Sequence, residues 1–297
     1  MSNSTTTLAI SINIVSAVIV LIALTNSLVL FILIVYRLVT MHIGPNERIA
    51  LHLILNTLCA FILMFIVLFL HVNVSTLCSD LNMNSFRWRD DSPACRFCGY
   101  VFFSVICSVF WSYALQVFFR FIRVVYPMNS WINHIKIYLF LFIPLQWMIS
   151  FAIVIPLITR LNGIHPLLPN ETYCGVQFDK FTAVVYASVA EVWIPIMIIS
   201  ACYFKITRTI RHRSSKQLPF LRNRKDVKAT HRIIIMIFLL SLMNIPTIVY
   251  LVDFWISSNA LDPLIYRITW LSLSIGSLIL CVLLPQLVMH ASIYKDR

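Results

Sequence analysis

Seven long apolar runs dominate the chain and limit what it can become. They extend from Leu8 to Tyr36, Ile49 to His71, Phe97 to Tyr126, Ile137 to Ile158, Phe181 to Thr209, Ile233 to Ile256 and Ile265 to Met289. A hydrocarbon core about 30 Å thick takes roughly 20 apolar residues in helix, and every run is long enough. Transmembrane β-strands would run about ten residues with alternating polarity, a pattern these runs lack. The predicted fold is an all-α membrane protein, a seven-transmembrane helix bundle. Composition agrees, since 60% of the 297 residues are hydrophobic and 11% charged, against roughly 25% charged in a soluble domain. No Lys or Arg precedes the first run and no small-residue cleavage site follows it, so it reads as a retained helix rather than a signal peptide.

Charge sets the expected orientation. With helix ends assigned alternately, 17 of the 23 Lys and Arg fall on one side, among them Arg37, Arg48, Lys136 and the dense stretch from Lys205 to Arg232. By the positive-inside rule that side is cytoplasmic and the N-terminus lies outside. The acids go the other way, with Asp80, Asp90, Asp91, Glu171, Asp179, Glu191, Asp253 and Asp262 outside or in the outer half. The net +12 thus divides into +14 inside and −2 outside, and attraction to anionic lipid accounts for the basic side without any nucleic acid. Residues 1–9 are expected as an extracellular tail, 10–290 as the seven-helix domain and 291–297 as a short cytoplasmic tail. The sequons at Asn3, Asn73 and Asn170 all fall on the outer side, where glycans are added. Cys78, Cys95, Cys98 and Cys174 fall there too, and four cysteines allow three pairings.

Few polar side chains interrupt the runs. Arg120 and Arg123 sit near the inner end of the third, where a basic side chain can snorkel to the interface. Glu191 lies in the middle of the fifth, four residues before Pro195. A carboxyl at that depth is either a structural group bonded internally or a contact for a cationic or hydrogen-bonding ligand. Pro144, Pro156, Pro195, Pro246 and Pro285 interrupt the last four runs, and each removes a helix hydrogen bond. No H-E-x-x-H, G-x-S-x-G or Walker loop is present, so no enzyme, metal or cofactor is expected.

Taken together, the seven runs and the stretch Phe119-Arg120-Phe121-Ile122-Arg123-Val124-Val125-Tyr126-Pro127 resemble the rhodopsin-like (class A) G-protein-coupled receptors. In that family the third helix ends in Asp/Glu-Arg-Tyr, and Arg120 matches the arginine while Phe119 replaces the acid. Cys95 stands 25 residues before Arg120, the family spacing, which implies a disulfide to Cys174. Asn26, Trp147, Pro195 with Tyr203, and Pro246 match family positions in the first, fourth, fifth and sixth helices. Departures are equally plain. Phe61 stands for the second-helix Asp, Asn244 for the sixth-helix Trp, and Leu284-Pro285-Gln286-Leu287-Val288 for Asn-Pro-x-x-Tyr. With Val109 at a further matching place, the family's internal sodium site has lost its carboxylate and most of its oxygens.

The resemblance implies an outward crevice that binds an extracellular ligand, and a heterotrimeric G protein engaged at the inner end near Arg120 and Tyr203. Matching pocket positions are Phe102, Phe103, Ile106, Glu191, Thr247, Leu251, Trp270 and Ser274. Phe102 occupies the place of the amine-receptor Asp, and the last helix has no lysine for a retinal Schiff base. An apolar, aromatic pocket with one acid, under acidic outer loops, favours a peptide with basic or aromatic residues. The competing readings are a seven-helix chemoreceptor channel and a small transporter, and both require a polar pathway that this chain barely supplies. The expected location is the plasma membrane, crossed several times.

Overall fold

A computed structural model describes residues 3–81, 92–126, 135–159, 168, 171–176, 181–214 and 264–292, together with 242, 245, 248, 249, 252 and 256 of the sixth run. Every regular element among them is helical. Helix α1 is Asn3–Thr40, so most of the expected outer tail forms its first turns. Helix α2 is continuous over 45–80, with Pro45–Val67 and Ser75–Asp80 joined by a π-helical Leu68–Val74. It runs nine residues past the predicted end of the second span, and Asp80 therefore ends a helix rather than lying in a loop. Helix α3 is Pro93–Val125. Helix α4 covers 135–159 and α5 covers 181–214, each with a π-helical turn, Tyr138–Phe142 and Ser188–Trp193. The six described residues of the sixth run, α6, are helical, and α7 is Leu264–Ser292.

Local chemistry explains several of these boundaries. Gly44 caps α2 with Pro45 at its first turn, where the missing N–H of proline costs nothing. Ser92 caps α3 and its Oγ accepts the Cys95 N–H at 3.2 Å. Both π-turns in α4 and α5 end just before a proline. The ring of Pro144 or Pro195 crowds the carbonyl four residues earlier, that of Phe140 or Glu191, and a wider turn contains that carbonyl in each case.

The outer surface is apolar, as lipid contact requires. Phe140, Met148, Met197 and Phe204 are each at least 66% exposed. In α6 the residues Leu242, Ile245, Ile248, Val249, Val252 and Ile256 are all exposed and fall on one helical face. Helix α3 is the axis of the bundle, packed against α2, α4 and α5, while α1 packs against α2 and α7. Because lipid is as apolar as leucine, small residues and hydrogen bonds hold such helices together. Ala23 and Ser27 are wholly buried where α1 meets α7, and Ser27 Oγ lies 3.0 Å from Cys281 Sγ. Between α2 and α4, Asn56 Nδ2 donates to Gln146 Oε1 at 2.9 Å and Trp147 Nε1 donates to Asn56 Oδ1 at 2.8 Å. Gln146 Nε2 reaches on to the Ser108 carbonyl of α3 at 3.1 Å.

Candidate functional site

The end of the bundle that carries Cys95 is closed by residues 171–176. A disulfide joins Cys95, in the first turn of α3, to Cys174 in that segment. Glu171, Thr172, Tyr173, Cys174 and Val176 are all buried, so the segment sits among the helix ends instead of over them. Its polar groups are taken up mainly along α2. His71 Nε2 is 2.9 Å from the Cys174 carbonyl, and Ser75 Oγ donates to the Thr172 carbonyl at 2.6 Å. Tyr173 faces α7, where its hydroxyl accepts the Trp270 indole N–H at 2.6 Å. Burial holds the Tyr173 phenol well above its ordinary range, so it stays protonated.

Beneath Tyr173 lies an aromatic floor. Phe102 and Trp270 meet edge to face at 5.1 Å, Phe102 and Phe103 at 5.5 Å, and Tyr173 and Trp270 at 6.2 Å. The structure thus brings together three of the pocket positions named from the sequence. All three are buried, Phe102 at 1% exposure and Trp270 at 7%. Ile106 is buried in the same core. Ser274 donates to the Trp270 carbonyl and faces Ser16 of α1 at 3.3 Å, so it belongs to the helix contact. Thr247 and Leu251 lie outside the described residues.

Glu191 lies between α3 and α5 and is 4% exposed, with Cys107 and Tyr186 as electrostatic neighbours. Its Oε1 has no hydrogen-bond partner among the described residues, and neither have Ser104 Oγ and Ser108 Oγ on α3.

A charged cluster stands at the rim. Arg267 of α7 grips Asp80 of α2 with two bonds, at 2.7 and 3.0 Å, and gives Glu171 a single bond from Nε at 3.2 Å. Two carboxylates share one guanidinium, and the bidentate partner is the better held. Glu171 is enclosed, and burial pushes its carboxyl up to about 7 against the pull of Arg267. The sequence places Glu171 among the outer-loop acids, and burial of its segment makes it an interior group. Neither Arg267 nor His71 nor Tyr173 was singled out, although a His at the end of an apolar run and the string Glu171-Thr172-Tyr173 before a cysteine are visible signals.

Asn73 requires a correction. It is 2% exposed inside α2, and its carbonyl accepts the Asn13 Nδ2 at 3.1 Å, so a glycan has no room there. Asn3 begins α1, and Asn170 lies outside the described residues. Cys78 and Cys98 are unpaired and sit in α2 and α3.

At the opposite end Arg120 lies within hydrogen-bonding reach of Tyr203, so α3 and α5 bring the two expected residues together. Phe119, in place of an acid, is 2% exposed and packs edge-on against Tyr138 at 5.2 Å. The Arg123 guanidinium stands 5.6 Å from the Phe119 ring. Midway between the two ends, Phe61 is fully buried, stacked on Phe65 at 5.7 Å and edge-on to Tyr113 at 6.2 Å.

No curated protein matches the chain. A model of the family described as 7 transmembrane receptor (rhodopsin family) does match, over residues 81–283. That stretch runs from the end of α2 to α7 and takes in the disulfide, the aromatic floor and the Arg120–Tyr203 pair. The helical bundle and the match agree, and the chain belongs to the rhodopsin family of seven-transmembrane receptors.

Proposed function

We propose that the disulfide end faces outward and binds an extracellular peptide, and that occupancy there is relayed through the bundle to a heterotrimeric G protein at the Arg120 end. The observation that carries this reading is the seating of residues 171–176. Tyr173 rests on the Phe102–Trp270 floor, and Arg267 lies between Asp80 and Glu171. An aromatic ring and a guanidinium supplied by the chain itself occupy the seats that aromatic and basic peptide side chains would take. A ligand that takes over these contacts binds the displaced arrangement better than the closed one, and so shifts the equilibrium between them. Phe102, Phe103, Ile106 and Trp270 form the apolar wall of this site, and Glu191, with an oxygen that has no partner among the described residues, is its deep polar contact. Thr247 and Leu251 stay with the proposal as positions matched by resemblance, and Ser274 as one that supports Trp270 from below through its bond to the Trp270 carbonyl. Asn3 and Asn170 are the remaining candidate glycan acceptors.

The experiment is a G-protein dissociation panel in cells expressing the chain, screened against peptide and amine libraries with ion current recorded in parallel. Peptides rich in Arg and Tyr should evoke dissociation, and Asp80→Asn should weaken their potency. A ligand-gated current without G-protein dissociation would instead establish a channel, and a response confined to small amines would remove the peptide.

A further inference from the structure

The cavity between α1, α2, α7 and residues 171–176 gathers three polar atoms that have no partner among the described residues. It measures about 10 Å³ and is lined by Asn13, Ser16, Asn73, Thr76, Glu171 and Arg267 among others. One water needs on the order of 10–15 Å³ when volume is counted by the centre of a water-sized sphere. Three lining residues carry a buried atom without a hydrogen-bond partner among the described residues: Asn73 Nδ2, Thr76 Oγ1 and Glu171 Oε2. The amide is a donor, the carboxylate oxygen an acceptor and the hydroxyl either.

We infer that this cavity binds a single water molecule, which accepts from Asn73 Nδ2, donates to Glu171 Oε2 and makes its third bond with the Thr76 hydroxyl. Three bonds are what a buried water usually makes. A metal cation does not suit the site, because the unpartnered atom that Asn73 brings to it is a donor and Arg267 stands 3.2 Å from the other oxygen of the same carboxylate. A free anion is repelled by Glu171, and an apolar occupant would leave all three atoms unbonded. The bound water is a further link between the closing segment and α2, beside those from His71 and Ser75. The cavity borders the proposed ligand seat through Glu171 and Arg267, but its test needs no ligand.

The test sets Thr76→Val against Thr76→Ser in the full-length protein, purified in lipid nanodiscs and followed by thermal unfolding. Val keeps the shape and removes the hydroxyl. With the water in place, Thr76→Val should lower the midpoint by several degrees and Thr76→Ser should lose much less. If the cavity is dry, Val removes an unsatisfied hydroxyl, and a raised or unchanged midpoint overturns the inference. Should Thr76→Val fail to fold, a density map of the unmodified protein that shows ordered water decides. A peak about 2.7–3.2 Å from the three atoms supports the site; no peak, or one at metal–oxygen distance, overturns it.

Discussion

Trp270 of α7 donates its indole N–H to the Tyr173 hydroxyl over 2.6 Å, which fastens the segment held to α3 by Cys174 to the last helix as well. Both groups are buried, so loss of one leaves the other unsatisfied at a cost of about 1–3 kcal/mol. Tyr173→Phe keeps the ring on its floor and removes only the acceptor. It should lower the thermal midpoint of the purified protein by a few degrees. An unchanged midpoint would mean that Trp270 finds another partner and that the disulfide and the bonds from His71, Ser75 and Arg267 suffice to hold the segment.

The pH dependence of that closure follows from Glu171. Its folded carboxyl titrates at about 7, above the ordinary 4.5. The folded state therefore binds more protons than the unfolded state between those two values, and stability falls as pH rises through that window. The contribution is full below the unfolded value and lost once pH passes the folded one. Thermal midpoints measured from pH 4.5 to 8 should decline in the wild type and decline less in Glu171→Gln, whose amide does not titrate. Parallel curves for the two proteins would take Glu171 out of the effect.

How much of this was legible beforehand depended on the kind of signal. Run length alone shows the helices, because the bilayer imposes a length on each. That Arg120 and Tyr203 share the inner end, and that Cys95 pairs with Cys174, is what the family resemblance implies. The burial of Asn73 and of Glu171 is not legible in the sequence, for one shared reason. Each turns on whether residues 171–176 lie over the helices or among them, and on α2 continuing nine residues past His71. Both are tertiary facts, decided by a π-turn and by hydrogen bonds from Ser75, His71 and Trp270 to a segment about a hundred residues further along the chain or before it.

Glu191 offers a sharp test of the ligand site. Its Oε1 is buried without a partner among the described residues, which is a cost the fold carries unless something in use repays it. Glu191→Gln preserves the shape and removes the acid. Agonist potency should fall at least tenfold, corresponding to about 1.4 kcal/mol, at equal surface expression. Unchanged potency would make Glu191 a structural group.

The residue before Arg120 is not an acid: Phe119 turns into the contact with Tyr138, and Arg120 meets Tyr203. If that pair forms the G-protein seat, Arg120→Ala should abolish coupling while the receptor still reaches the surface, and Tyr203→Phe should reduce it partially. Surface labelling and dissociation of labelled G-protein subunits measure the two separately. Full signalling from Arg120→Ala would place the seat elsewhere.

Sodium provides the last expectation. An ion in the middle of a receptor of this family needs a carboxylate and several oxygens, and the place of that carboxylate holds Phe61, fully buried between Phe65 and Tyr113. Val109 is likewise buried and apolar. Bringing a bare cation against phenyl rings in a low-dielectric interior is strongly unfavourable without compensating ligands. Replacing sodium by N-methylglucamine at constant ionic strength should therefore leave agonist affinity unchanged. A shift that persists under that control would require a sodium site built from other residues, and Phe61→Asp, which restores the acid, should then fail to enlarge it.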